Sequence, residues 1–310
     1  MSNLSERKIV IITKQTRADE LVRKFNNMAQ AAFYVERMGG DIGDYVAESK
    51  TYKESVSSSY SQLHDLARVQ TIDREYVPSF LFGDDDIVVV IGQDGLVANT
   101  LKYLNGQPLI AVNPDPLRYD GVLLPFRTHE LVYIIRDVLK NRRPQKEITM
   151  AEAVLNDGQS LLAVNDFFIG RQTHVSARYS LRIDGKEEMQ SSSGIIVSTG
   201  LGATGWLKSV IAGAKNISRS ITGIELIETI EEPKWDSDYL YYSVRVPFPS
   251  NITGADLVFG IIKDSPLQIA SQMPENGVIF SDGVEQDYLQ FNSGIEAKIS
   301  VAEKKGYLVV

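Results

Sequence analysis

Ile87, Val88, Val89, Val90 and Ile91 form an unbroken aliphatic run that ends in Gly92, Gln93, Asp94 and Gly95. A run of this length, closed by glycine, predicts a strand buried on both faces of a parallel sheet. Residues 8–13 predict a second such strand. After Arg17, the residues Leu21, Phe25, Met28, Ala32 and Val35 recur at helical spacing, and Gly39 and Gly40 supply a stop. Tyr52, Val56, Tyr60, Leu63 and Ala67 predict another helix, weakened by the run Ser57, Ser58, Ser59. A helix at 96–104 and a strand at 108–112 follow. A helix at 129–140 then turns Leu131, Ile134, Ile135 and Val138 toward a core. Alternation of strand and helix predicts a parallel sheet covered by helices.

The pattern changes at Asn141, Arg142, Arg143 and Pro144, which are polar, charged and broken by proline, as at a domain boundary. Short alternating runs follow at 148–155, 161–169, 175–183, 194–199, 241–246, 257–262, 267–270, 277–280 and 297–302. Their density predicts an antiparallel sandwich or barrel-like second domain, interrupted by a helix at 203–215. Glu187 and Glu188 predict a solvated hairpin face. The chain shows neither an internal repeat nor a low-complexity tract.

The length of 310 residues accommodates two domains, and 43% hydrophobic residues support a sizeable core. A net charge of −8 argues against a general nucleic-acid binder, while leaving room for a small basic pocket. Without cysteine, thiol catalysis and thiolate metal sites are excluded. Three histidines, His64, His129 and His174, argue against a histidine-rich metal centre. No apolar run has transmembrane length. Residues 1–7 carry neither an apolar core nor an arginine-rich amphipathic pattern, so a soluble, cytoplasmic protein without a membrane partner is expected.

Four constellations carry candidate chemistry. Gly92, Gln93, Asp94 and Gly95 stand at the carboxyl end of a predicted strand, where ligands bind in open α/β sheets, and continue into Asn99 and Thr100. Flanking backbone N–H groups there can face phosphate, although an Asp-Gly turn that only joins strand to helix is equally compatible. Asn165 and Asp166 close an apolar run, as a buried pair that satisfies backbone groups also would. Ser198, Thr199, Gly200, Leu201, Gly202, Ala203, Thr204, Gly205 and Trp206 lead from a strand into a helix. Their small side chains suit a flat ligand or a phosphate, and equally a β-bulge followed by a helix cap. Ser281, Asp282 and Gly283 in isolation are a turn.

The order of these motifs resembles that of the NAD kinase family, within the wider superfamily of diacylglycerol and sphingosine kinases. That family carries a Gly-Gly-Asp-Gly-Thr loop, an Asn-Glu or Asn-Asp pair, a Thr-Pro-Thr-Gly-Ser-Thr-Ala-Tyr-like segment and a late Asp-Gly. Asn113 looks like the asparagine of the Gly-Ile-Asn element that follows the first loop. The opening Thr13, Lys14, Gln15, Thr16, Arg17, the segment from Asp166 to Gly170, and Ser192, Ser193, Gly194 resemble the divergent branch that includes the mitochondrial enzyme of animals. The resemblance covers most of the chain. It implies an N-terminal Rossmann-like α/β domain at 1–143, a C-terminal β-sandwich domain at 144–294, and last strands at 295–310 that return to the first domain.

The resemblance further implies transfer of the ATP γ-phosphate to the 2′-hydroxyl of the adenosine ribose of NAD, in a cleft between domains. Asp94 would be the catalytic base, and Gly92 and Gly95 would shape the phosphate turn. Asn165 and Asp166 would hold ribose hydroxyls or adenine, Thr199 and Thr204 would contact the adenine region, and Asp282 would complete the pocket. Mg2+ is implied as the partner of ATP, not as an ion caged by protein, and the oligomer implied is a homodimer.

The chain departs from the family at Gln93, where the motif has its second glycine, and at Leu96, where it has threonine. Gly200, Leu201 and Ala203 replace proline, threonine and serine, and Trp206 replaces tyrosine. These departures bear on the phosphate donor more than on NAD. They leave open an altered donor, a different acceptor such as a lipid or sugar, or a non-catalytic nucleotide-binding regulator. Lys14 and Arg17 suit phosphate neutralisation or a solvated helix start. Trp206 is expected in core packing before a stacking platform. Asp84, Asp85 and Asp86 are expected as a polar strand entry, because three consecutive side chains converge poorly on one ion.

Overall fold

The computed structural model describes residues 5–224 and 233–310. Residues 1–4, part of the stretch read above as leaderless, lie outside it. The chain divides into two compact units, Met1–Lys146 with Tyr307–Val310, and Glu147–Gly306.

In the first unit, β1 (Ser5–Thr13), β2 (Ala67–Asp73), β3 (Ile87–Ile91) and β4 (Pro108–Asn113) run parallel in the order β2-β1-β3-β4. The short β5 (Phe126–Arg127) and the terminal Tyr307 and Leu308 also pair with β4. All five residues of β3 are buried, as its continuous aliphatic sequence requires. Helices α1 (Arg17–Phe25), α2 (Met28–Arg37), α3 (Ile42–His64), α4 (Asp94–Leu101) and α5 (Leu131–Leu139) belong to this unit. Leu63 of α3 and Leu131, Ile134, Ile135 and Val138 of α5 pack into a core with Ile11, Val89 and Val112.

The single helix expected after Arg17 is two helices. Asn26 adopts a left-handed φ of 66°, which ends α1, and the Asn27 side chain accepts from the Gln30 N–H to start α2. Ala67, assigned by spacing to the next helix, instead opens β2, and α3 starts at Ile42, earlier than the spacing placed it. The serine run does not interrupt α3, because Ser55 and Ser59 are buried on its packed side. Asp86 pairs with the Lys8 ammonium at 3.0 Å and accepts from the Gly83 N–H, so the acidic triplet is a strand entry.

The second unit is a β-sandwich. Its first sheet contains β6 (Gln145–Leu155), β7 (Ser160–Ala163), β9 (Ala177–Ile183), β10 (Lys186–Ser192), β14 (Leu267–Ser271) and β17 (Glu296–Val309). The second sheet, antiparallel throughout among the described residues, runs β13-β12-β11-β8-β15-β16. These strands are β8 (Asp166–Arg171), β11 (Ile195–Ser198), β12 (Leu240–Val244), β13 (Phe259–Ile262), β15 (Gly277–Ser281) and β16 (Val284–Gln290). Phe167, Ile169, Ile195, Val197, Tyr242 and Ile279 of the second sheet meet Tyr179, Leu181, Ile269 and Ile299 of the first. Helix α6 (Trp206–Thr222) follows β11 through a short 3-10 turn.

The apolar run at 161–169 is two strands, broken where Val164 and Asn165 turn. Strand β10 escapes the apolar count because its exposed positions, Lys186 and Glu187, are charged. Glu187 is solvated and pairs with Arg182, but Glu188 is not: it accepts from the backbone N–H groups of Asp256 and Leu257.

Candidate functional site

In the order β2-β1-β3-β4, the chain leaves β1 toward one edge and β3 toward the other. That reversal places a crevice at the carboxyl ends of β1 and β3, the usual ligand position in such sheets. A cleft of about 450 Å³ lies within the first unit at these ends. Lys14, Gln15 and Arg17 follow β1, Arg74 follows β2, Gln93 follows β3, and Arg118 and Tyr119 follow β4; Glu20 and Glu48 complete the lining. The Thr16 hydroxyl and the Asp19 carboxylate cap α1 reciprocally, which fixes the turn that carries Lys14 and Arg17. The Tyr52 hydroxyl accepts from the Lys14 N–H at 2.8 Å and donates to the Ile91 carbonyl at 3.0 Å, tying the two strand ends together.

The cations of this cleft differ in their partners. Arg17 donates to Glu48 at 2.6 Å and to Asp44 at 3.1 Å. Arg118 makes a two-bond fork to Asp44, at 2.7 and 3.0 Å. Hydrogen bonds from Arg118 hold the Asp44 carboxyl below its ordinary range. Burial would raise the Glu48 carboxyl, but hydrogen bonds from Tyr119 and Arg17 outweigh it and hold it low. Lys14 donates to Gln93 Oε1 at 3.1 Å, and burial pulls its ammonium below the usual lysine value against the attraction of Glu48. Lys14 is thus partly buried beside Gln93, not a solvated helix start.

Asp94 is the first residue of α4. Its Oδ1 accepts from the Leu123 N–H at 2.7 Å, and its Oδ2 makes no hydrogen bond among the described residues. Asn113 shapes the loop that delivers Leu123: its amide donates to the Tyr119 carbonyl and its oxygen accepts from the Asp115 N–H. A Cβ on Gly95 would meet nothing within 4 Å, so open space lies beside it. A Cβ on Gly92 would strike Leu96 at 2.8 Å, and Leu96 is itself buried. Thr100 and Asn99 donate back to the carbonyls of Leu96 and Gly95, within the helix.

In the second unit, Asp282 occupies a hairpin turn with φ of 53°, next to Gly283 at 69°. Its carboxylate accepts from the backbone N–H groups of Val164, Asn165 and Asp166. Thr199, fully buried, donates to the Val164 carbonyl at 2.6 Å and accepts from the Gly202 N–H. The backbone of Asn165 and Asp166 is therefore held from both sides. Their partly buried side chains make no hydrogen bond among the described residues. Burial, with the Asp282 charge behind it, pushes the Asp166 carboxyl up to about 7.

The structure thus brings Asn165, Asp166, Thr199 and Asp282 together. Thr199 and Asp282 act there on backbone, and Thr204 is exposed, donating to the Leu201 carbonyl. Trp206 is not a core residue. It is 36% exposed, stacks on Phe168 at 5.8 Å and lies under the Arg245 guanidinium. Sequence reasoning missed Arg74, Arg118 and Tyr119. A basic residue directly after a strand was the available signal for Arg74, hidden because β2 itself was not recognised. Among the described residues, no three acidic or histidine side chains cluster to hold a metal ion, and no helix is long and apolar enough to cross a membrane.

No protein-family model and no curated protein matches the sequence. Solved structures do match the fold. A yeast NADH kinase complexed with NADH is 16% identical, with a TM-score of 0.63 over 99% of this chain and 84% of that one. An NAD kinase from Archaeoglobus fulgidus in complex with ATP is 14% identical, with a TM-score of 0.57 over 98% of this chain and 93% of that one. This chain has the NAD kinase fold, an α/β unit joined to a β-sandwich.

Proposed function

We propose that this protein is an NAD kinase, which transfers the γ-phosphoryl of ATP to the 2′-hydroxyl of the adenosine ribose of NAD and releases NADP and ADP. The observation that carries the reading is the state of Asn165 and Asp166. Their backbone is pinned by Asp282 and Thr199, and neither side chain makes a hydrogen bond among the described residues. An amide beside a carboxylate matches vicinal ribose hydroxyls and an adenine edge. The fold of the yeast and archaeal kinases, and the ligands named for them, support the same assignment.

Phosphoryl transfer asks a protein mainly for positioning and charge stabilisation. Asp94 would accept the proton of the acceptor hydroxyl on Oδ2, with Oδ1 held by the Leu123 N–H so that the carboxylate keeps one orientation. The cationic cleft of the first unit would receive the donor phosphates. Mg2+ enters this reading as part of the Mg-ATP substrate and lowers the charge of the transferring phosphates. A homodimer, with no nucleic-acid or membrane partner, belongs to the same reading; light scattering measures the oligomer.

The test is NADP formation from NAD and Mg-ATP by the parent and by Asp94→Asn. Product from the parent, lost in the variant, is the expected result. A parent that binds NAD and forms no NADP sinks the assignment for this donor and acceptor.

A further inference from the structure

The four cations of the first unit's cleft are not electrostatically equal. Arg17 and Arg118 direct their guanidinium groups at Asp44, Glu48 and Asp115, and so tie α1 and the loop after β4 to α3. Lys14 and Arg74 have no carboxylate at ion-pairing distance among the described residues, and the Arg74 charge acts against that of Lys14. Lys14 is partly buried and Arg74 exposed; Glu48 and Glu20 attract Lys14 across the cleft without pairing with it, so an anion with several charges can still join the two cations.

Gln93 decides where one of those charges points. It stands at the cap position of α4 but makes no capping bond from its side chain. Instead its Oε1 accepts from the Lys14 ammonium at 3.1 Å, and both residues line the cleft. A neutral carbonyl holds an ammonium in place without cancelling its charge. A carboxylate at the same distance would cancel it, and a glycine would leave a four-carbon chain free to wander.

We propose that Gln93, at the site of a family glycine, is a positioning residue for an extended phosphate chain: it fixes Lys14 so that Lys14 and Arg74 together receive the anionic oxygens of a triphosphate or polyphosphate. The role of that chain as phosphoryl donor rests on the kinase reading; its binding does not. The departure at Gln93 then replaces close approach of backbone with a fixed side-chain charge.

Calorimetric titration of inorganic tripolyphosphate into the full chain without NAD tests this, for the parent, Gln93→Met, Gln93→Glu and Lys14→Met. A parallel titration with ATP reads the nucleotide-borne chain. The parent binds tripolyphosphate. Lys14→Met and Gln93→Glu each weaken it by about tenfold or more, the first by deleting the charge and the second by neutralising it. Gln93→Met, of similar volume, weakens it by about threefold to tenfold, the worth of one hydrogen bond. Thermal midpoints and NAD affinity stay at parent values, which separates positioning from a structural defect.

A parent without tripolyphosphate affinity, or a Gln93→Glu variant that binds as tightly as the parent, overturns the proposal. The kinase reading fails separately. If the binding series holds and no NADP forms from NAD, the phosphate site stands and the kinase falls. If NADP forms while the Gln93 variants bind tripolyphosphate like the parent, the kinase stands and Gln93 has no such role.

Discussion

The two glycine-bearing loops of this protein use glycine in opposite ways. In the first unit, a Cβ on Gly95 would enter open space at the start of α4, so the missing side chain leaves room for something outside the protein. In the second unit, a Cβ on Gly202 would sit 2.0 Å from the Asn165 carbonyl, and one on Gly200 would sit 1.9 Å from the Lys234 carbonyl. There the missing side chains let the backbone pack on itself. The charge pattern divides the same way. Around Gln93 and Asp94 it is cationic and carried by side chains. Around Asn165 and Thr199, carboxylate and hydroxyl are consumed in holding backbone. The first loop carries its charge on side chains; the second is a rigid frame that presents two polar side chains without hydrogen bonds among the described residues.

The sharpest test of that contrast is at Asp94. Asp94→Asn should reduce NADP formation by about two to four orders of magnitude, the usual worth of a positioned base, and leave the NAD dissociation constant unmoved. A matching loss of NAD affinity would instead make Asp94 a binding group. Gly202→Ala should act through the frame. Its Cβ overlaps a carbonyl that cannot yield, so unfolding stability should fall by about 3 kcal/mol or more, and NAD affinity with it, in denaturant titration and calorimetry. A stable, NAD-binding variant would show that the loop is adaptable.

Asp282→Ala removes the acceptor for three N–H groups and should cost about 1–3 kcal/mol of stability, read as a lower thermal midpoint. Smaller still is a pH effect. The Asp166 carboxyl, raised to about 7, is protonated below that pH in the free protein. If Asp166 holds ribose hydroxyls, as proposed, they donate to its ionised form, and NAD affinity should fall by up to about tenfold per pH unit below 7 and level off above it. The raised value also means that its contribution to folding is present at low pH and is lost as pH rises through about 7. Asp166→Asn should flatten the binding profile; an unchanged slope would assign it elsewhere. Gly95→Ala should have the least effect on the fold, within about 1 kcal/mol and toward stabilisation, because alanine is the better helix former and meets no neighbour. Its effect on tripolyphosphate binding would then report on the ligand side alone.

Legibility followed the length scale of the physics. Periodicity named β3 and the buried face of α5, because burial on two faces or on one stripe is written directly in residue order. It misread the junction at Asn26 and the start of β2, where one left-handed residue or one short polar strand decides the outcome. The Thr16 and Asp19 capping box was present as a local signal and went unused. In the candidate site, Asp94, Asn165 and Asp166 stood out because each lies where an apolar run stops. Arg74 and Arg118 did not, since nothing local separates a lysine or arginine on a surface from one in a cleft.

By itself the sequence determined the alternation of elements, the apolar cores of both units, and the absence of thiol chemistry. These depend on side-chain type and spacing, which are local. Tertiary structure alone decided which polar groups remain available. Arg17 and Arg118 are hydrogen-bonded to Glu48 and Asp44, from a helix far from Arg118 in sequence, while Lys14 and Arg74 form no ion pair among the described residues. Asp282 reaches back more than a hundred residues to hold Val164, Asn165 and Asp166. Electrostatic pairing and hydrogen bonding act through space between segments distant in sequence, so the order of residues does not state them.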